Sequence, residues 1–244
     1  MGLAASIGLK CFSKIRQIRV IRGSKSPLFP QWTCLGIFPN LRLGGPLAMS
    51  YTKRMVLGIL GSGSGSNMQA ILDAIDAGSL DAQIALVLSD RPDAYILERA
   101  RKRGIETAVI DCRGFRTKFP EQAQAETAAR LQAAGVQIVC LAGFLRLVKQ
   151  PLLAAFPNRI LNIHPALLPA FPGLESWKQA LDAGVAETGC TVHLVDVGMD
   201  TGPIILQEKV PVLPRDTADS LHARIQIAEH RLYPAAIRKL AAEL

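Results

Sequence analysis

From Met55 onward the chain alternates short apolar runs with segments of helical periodicity, and this alternation limits the fold more than any other feature. MVLGIL (55–60) enters a Gly/Ser loop, GSGSGS (61–66), and Met68, Ile71, Leu72 and Ile75 then recur at helical spacing over 67–77. The spacing predicts strand, loop, helix. QIALVLS (83–89), a helix over 94–103 stopped by Gly104, and IETAVI (105–110) continue the rhythm, as do a helix over 121–134 stopped by Gly135 and QIVCLA (137–142). Apolar strands alternating with helices predict an α/β fold: an open, mostly parallel twisted sheet with helices on both faces and right-handed crossovers.

After RILNIH (159–164) the rhythm changes. A loop carrying Pro165, Pro169 and Pro172 and a short helix lead into TGCTVHLVD (188–196), and past VGMDTG comes PIILQEKVPV (203–212). Two extended runs around a Gly-containing turn predict an antiparallel hairpin on the sheet edge, in the C-terminal part of the chain. A last helix, opened by Asp216 or Thr217, runs to the C-terminus.

Charge divides the chain. Of 28 Lys+Arg, seven (Lys10, Lys14, Arg16, Arg19, Arg22, Lys25 and Arg42) fall within residues 1–48, which hold no Asp or Glu. Residues 49–244 keep 21 basic against 20 acidic groups, so the formal +8 belongs to the N-terminal segment and the rest is nearly neutral. A nucleic-acid-binding body is therefore not expected. No run approaches the roughly 18 to 20 apolar residues of a membrane span, so a soluble protein is expected. Five cysteines (Cys11, Cys34, Cys112, Cys140 and Cys190) form no CxxC pair, which argues against a zinc site or a disulfide framework and for a reducing compartment. Residues 49–244 suffice for one domain. Residues 1–48 read either as an organellar presequence or as a disordered extension upstream of a start at Met49.

Three features can carry chemistry. The Gly/Ser loop after the first strand sits where an α/β sheet aims backbone N–H groups at an anion, and Gly65 would let the backbone approach a phosphate while Ser66 and Asn67 add donors. It is neither the dinucleotide fingerprint nor a Walker loop. In Asn162-Ile163-His164-Pro165, period-two alternation sends Asn162 and His164 to one face at the C-terminal end of a strand. Either alone reads as a core histidine or a turn former. As a pair they offer a proton shuttle and an oxyanion donor. Asp200, in Gly198-Met199-Asp200-Thr201-Gly202-Pro203, has the composition of an ordinary turn, but a working histidine needs a carboxylate to orient it. No nucleophile elbow accompanies them, so attack by the substrate's own nucleophile is expected.

SGSGSNMQAI, LAGFLRLV, ILNIHPALLPAFPG, the segment from TVHLVD to DTGPIILQ, and IQIAEHRLYP together resemble the phosphoribosylglycinamide formyltransferase family, from about Met55 to the C-terminus. The resemblance implies transfer of the formyl group of 10-formyltetrahydrofolate to the amine of glycinamide ribonucleotide in de novo purine biosynthesis. It implies small-molecule substrates, no metal, no nucleic acid, no membrane, a monomer or homodimer, and a cytoplasmic setting, or an organellar one if residues 1–48 are a presequence. Asn162, His164 and Asp200 match the catalytic trio. Gly65, Ser66, Asn67, Lys118, Gln226 and Glu229 match nucleotide contacts. Arg146, Leu147 and Val148, with Val195, Asp196, Val197, Gly198 and Met199, match the folate side. The pattern departs at Glu175 and Trp177, where the resemblance leads one to expect histidines. Another folate-dependent formyltransferase or a formyltetrahydrofolate hydrolase is the alternative. A methionyl-tRNA formyltransferase would add a C-terminal domain and a basic body, a hydrolase a preceding regulatory domain, and a non-catalytic nucleotide-binding module would have no use for the trio.

Overall fold

The strand β1 (Met55–Leu60) is buried along almost its whole length, as a central parallel strand must be. The computed structural model describes residues 54–115 and 118–244, and the expectations for residues 1–48 fall outside the described residues. The described elements are β1, α1 (Ser66–Asp76), β2 (Ala82–Ser89), α2 (Tyr95–Lys102), β3 (Glu106–Val109), α3 (Glu121–Ala133), β4 (Ile138–Leu141), α4 (Leu152–Ala155), β5 (Ile160–His164), α5 (Ser176–Asp182), β6 (Glu187–Leu194), β7 (Ile204–Pro211) and α6 (Ala218–Ala241). The seven strands form one sheet in the order β3-β2-β1-β4-β5-β6-β7. β1 to β5 are parallel, and β6 and β7 add antiparallel at the far edge. The expected mostly parallel sheet with an edge hairpin is therefore what the chain forms.

Alternation along β1 explains why helices cover both faces. Leu57 and Ile59 join a core with Met68 and Ile71 of α1, Ile96 and Leu97 of α2, and Ile225 and Tyr233 of α6. Val56 and Leu60 point the other way, into a core with Ala128 and Leu131 of α3 and Leu152 of α4. Gly58 faces that second core, and a Cβ there would lie 2.5 Å from Cδ2 of Leu131, so the missing side chain is what lets α3 pack against β1.

α6 is anchored at both levels. Thr217 caps it, accepting from the N–H of Ser220 while the Ser220 side chain accepts from the N–H of Thr217. The buried Tyr233 hydroxyl lies 3.0 and 3.1 Å from the carbonyls of Leu141 and Leu161, tying the helix to β4 and β5. The four-residue α4 had no periodicity to announce it.

Strand order reverses between β1 and β4, and at such a point the loops leaving the carboxyl ends of neighbouring strands diverge and open a crevice. Among the described residues no helix is long and apolar enough to cross a membrane.

Candidate active site

Four elements deliver side chains to the carboxyl ends of the central strands. β5 ends on Asn162 and His164, which share a face because they are two residues apart. β6 runs antiparallel beside it, with Asn162 opposite His193 and His164 opposite Thr191. Thr191 fixes the following loop: its hydroxyl donates to the Ala166 carbonyl at 2.7 Å and accepts from the Leu168 N–H at 3.0 Å. The segment after β6 folds on Asp196, whose Oδ1 accepts from the Gly198 N–H at 2.9 Å and the Thr201 hydroxyl at 2.7 Å. This turn leaves Asp200 with φ 55°, a left-handed conformation that Asp tolerates better than most residues.

Asp200 is the hub. Its Oδ2 lies 3.4 Å from His164 Nδ1 and accepts from the Gly173 N–H at 2.9 Å. Its Oδ1 is 3.4 Å from Asn162 Nδ2 and 3.5 Å from His193 Nε2. The structure thus brings together the three residues expected to act in catalysis and adds His193. That histidine sits in the alternation of TVHLVD on the face that pairs with Asn162, and a cross-strand register was needed to find it.

Hydrogen bonds assign protons to the two rings. His193 Nδ1 faces the Leu194 carbonyl at 2.9 Å and donates to it, while Nε2 lies 3.1 Å from Asn162 Nδ2 and 3.5 Å from Asp200 Oδ1. His164 Nε2 faces the Phe171 carbonyl at 2.8 Å while Nδ1 faces Asp200. Both neighbours are acceptors, and only the imidazolium donates to both. Burial works against that charge and holds His164 below its ordinary value, although Asp200 and the Phe171 carbonyl pull upward. For Asp200, burial raises the carboxyl, but contact with His193, the Gly173 N–H and the His164 charge outweigh it, so the group stays ionised below the usual range.

A second cluster lies where α1 begins. Gly65 caps α1 with φ 74°, and a Cβ there would lie 2.7 to 2.9 Å from Ile96, including its backbone, so only glycine fits. No side chain caps α1 and its first turn carries no acidic residue, so its leading N–H groups stay available to an anion. Asn67 Nδ2 donates to Oε2 of Glu229 at 2.9 Å, joining the loop to α6. Asn67 Oδ1 is buried without a hydrogen-bond partner among the described residues. Glu229 is buried and, with that amide opposing only weakly, burial pushes its carboxyl up to about 7.

Other expected contacts have different engagements. The Arg146 guanidinium is buried, paired with Asp90 at 2.7 Å and donating to the carbonyls of Phe115 and Lys118. Asp90 also accepts from the Ser62 hydroxyl at 2.6 Å, so Ser62, Asp90 and Arg146 brace the loops after β1, β2 and β4. The Lys118 ammonium lies over the Phe115 ring, 5.3 Å from its centroid. Leu147, Val197 and Met199 expose apolar surface, whereas Val148 is buried and Val195 packs against the core. Among the described residues no cluster of three or more His, Cys, Asp or Glu side chains is arranged to hold a metal ion.

Fold and site are those of an α/β enzyme with an amide, two imidazoles and a carboxylate gathered at the carboxyl ends of a mostly parallel sheet. The sequence pattern of the formyl transferase family matches residues 54–237, and the chain belongs to that family. Among its relatives, a phosphoribosylglycinamide formyltransferase of Bacillus subtilis (strain 168) is 41% identical over 183 residues, covering 75% of this chain and 92% of the relative. The trifunctional purine biosynthetic protein adenosine-3 of Drosophila melanogaster is 46% identical over 190 residues, which are 77% of this chain and 14% of that much longer protein. The crystal structure of glycinamide ribonucleotide transformylase 1 from Symbiobacterium toebii superposes with a TM-score of 0.73 at 55% identity, covering 76% of this chain and 86% of that one.

Proposed function

We propose that this chain transfers the formyl group of 10-formyltetrahydrofolate to the amine of glycinamide ribonucleotide, giving N-formylglycinamide ribonucleotide and tetrahydrofolate. The observation that carries the reading is the convergence of Asn162, His164 and Asp200 at the carboxyl end of β5, in a chain whose uncapped α1 N-terminus, at the carboxyl end of β1, suits a phosphate.

The substrate amine attacks the formyl carbon and a tetrahedral intermediate forms, with negative charge on the former carbonyl oxygen. His164 Nε2–H and the Asn162 amide donate to that oxygen, which replaces the Phe171 carbonyl as acceptor. Growing negative charge offsets the burial that disfavours the imidazolium, so His164 becomes fully charged as the oxyanion forms. The nitrogen that attacked loses a proton, the folate nitrogen gains one, and the bond between that nitrogen and the formyl carbon breaks. Asp200 holds His164 in orientation and, through water, assists the proton transfer. Ser66, Asn67, Gln226 and Glu229 hold the nucleotide, while Leu147, Val197 and Met199 offer apolar surface to the flat ring of the folate.

The test is a rate comparison. Formyl transfer should require glycinamide ribonucleotide, and formate release from 10-formyltetrahydrofolate in its absence should be below about one hundredth of the transfer rate. Equal formate release with and without the nucleotide would replace the transferase by a hydrolase.

The proposal extends to chain organisation and setting. Residues 49–244 form the catalytic domain, supported by a family match that begins at residue 54. Residues 1–48 are dispensable, and a chain starting at Met49 should keep its kcat/KM within about twofold and its thermal transition within about 2 °C. Loss of folding on that truncation would make the basic segment structural. A cytoplasmic setting suits the buried free thiols of Cys112, Cys140 and Cys190.

A further inference from the structure

Trp177 is half-buried on α5 with its indole stacked on the His222 imidazole of α6. The ring centroids are 3.8 Å apart and the planes differ by 2°. His222 Nε2 lies 3.4 Å from Gln226 Nε2. His222, Gln226 and Glu229 are spaced i, i+4, i+7 and so fall on one stripe of α6. The far end of that stripe meets the loop at the head of α1 through the bond from Asn67 to Glu229. His222, on which Trp177 stacks, and Gln226 thus lie on the same stripe of α6 as Glu229, which bonds Asn67 at the candidate nucleotide site.

We propose that the Trp177–His222 stack is a positioning element that fixes the Gln226 carboxamide, so that its carbonyl is presented to a ribose hydroxyl of the nucleotide. The inference rests on the reading of Gln226 as a nucleotide contact. Stacking on the indole holds the imidazole plane, and with Nε2 toward Gln226 the neutral ring accepts from the amide N–H. The amide oxygen is then left for a hydroxyl donor. A protonated ring would make Nε2 a donor, turn the amide oxygen toward His222 and leave the substrate facing NH2.

Burial of His222 supports the neutral form. Burial disfavours the imidazolium, and the Asp219 carboxylate on the same helix offsets only part of that. On α5, Lys178 and Asp182 pair with each other at 2.6 Å. On β7, Glu208 pairs with Arg231, and on α1 Asp73 acts on His230. The acid form should therefore appear only below the ordinary imidazole range.

The experiment uses the full chain carrying Trp32→Phe, which leaves Trp177 as its one indole. Emission should fall as pH drops through the His222 titration, because an imidazolium quenches a stacked indole, and His222→Phe should abolish that pH dependence. His222→Phe keeps a stacking ring but no acceptor. It should raise the KM for glycinamide ribonucleotide about fivefold and hold kcat within about twofold. Trp177→Phe should restore near-normal KM where Trp177→Ala does not, with thermal transitions confirming folding in each. Emission that does not titrate overturns the proposal. So does a wild-type KM in His222→Phe when Gln226→Ala raises it. A wild-type KM in Gln226→Ala instead removes the underlying reading of Gln226, and the proposal with it.

Discussion

Replacing His164 by alanine should lower kcat for formyl transfer by about 10²- to 10⁴-fold while holding the KM for glycinamide ribonucleotide within about threefold. The asymmetry follows from where the ring sits. His164 touches Asp200 and the Phe171 carbonyl at the end of β5, whereas the uncapped head of α1 and Glu229 form a separate cluster. An interaction made mainly with the developing oxyanion appears in kcat and leaves ground-state binding alone. The variant also removes the donor that holds the Phe171 carbonyl, so its thermal transition and nucleotide affinity should be measured beside kcat. Near-normal turnover in a folded, nucleotide-binding variant would remove His164 from the mechanism.

Much of this arrangement was legible in the sequence, and the reasons are specific. β1 and β4 are buried on both faces, as is the second half of β2, so each reads there as an apolar run. Glycines 104 and 135 mark helix ends through their positive φ, and Asn162 and His164 share a face by spacing alone. Long-range pairing was not legible. His193 becomes part of the site only because β6 pairs antiparallel with β5 in one particular register. The buried Arg146–Asp90 pair joins residues 56 positions apart, and nothing local to either announces the other. For that reason a motif match that expects folate contacts around Arg146 says nothing of where its guanidinium goes. Asp196 likewise matched a folate position, yet its carboxylate closes the turn that presents Asp200. Asn162 and His164 were visible as a short-range pair and Asp200 through the family resemblance; the bracing of all three was hidden because it is tertiary.

Glu229 shows how binding and stability pull apart at such a site, and Glu229→Gln should be more stable than the parent yet a poorer enzyme. Burial raises this carboxyl from 4.5 to about 7 in the folded chain. A raised acid pKa means the native state binds more protons than the unfolded state between those values, so stability falls as pH rises through that window. Below the unfolded value both states are protonated and there is no penalty. Above the folded value the penalty is complete, at about 3 kcal/mol from roughly 1.4 kcal/mol per pH unit. Glutamine mimics the protonated acid at every pH and can still accept from Asn67. Its thermal transition should match the parent near pH 4 and exceed it by about 6 to 12 °C at pH 8.5. Substrate hydroxyls that donate to the carboxylate gain more from an ionised acceptor than from an amide, so the variant's KM for glycinamide ribonucleotide should rise about tenfold or more. The same donors favour the ionised form, so nucleotide binding near pH 7 should release part of a proton in the parent and none in the variant. Calorimetric titration in buffers of different ionisation enthalpy reads this directly. Equal thermal transitions at pH 8.5 would show that Glu229 is solvated or paired in solution, and an unchanged KM would remove it from the nucleotide site.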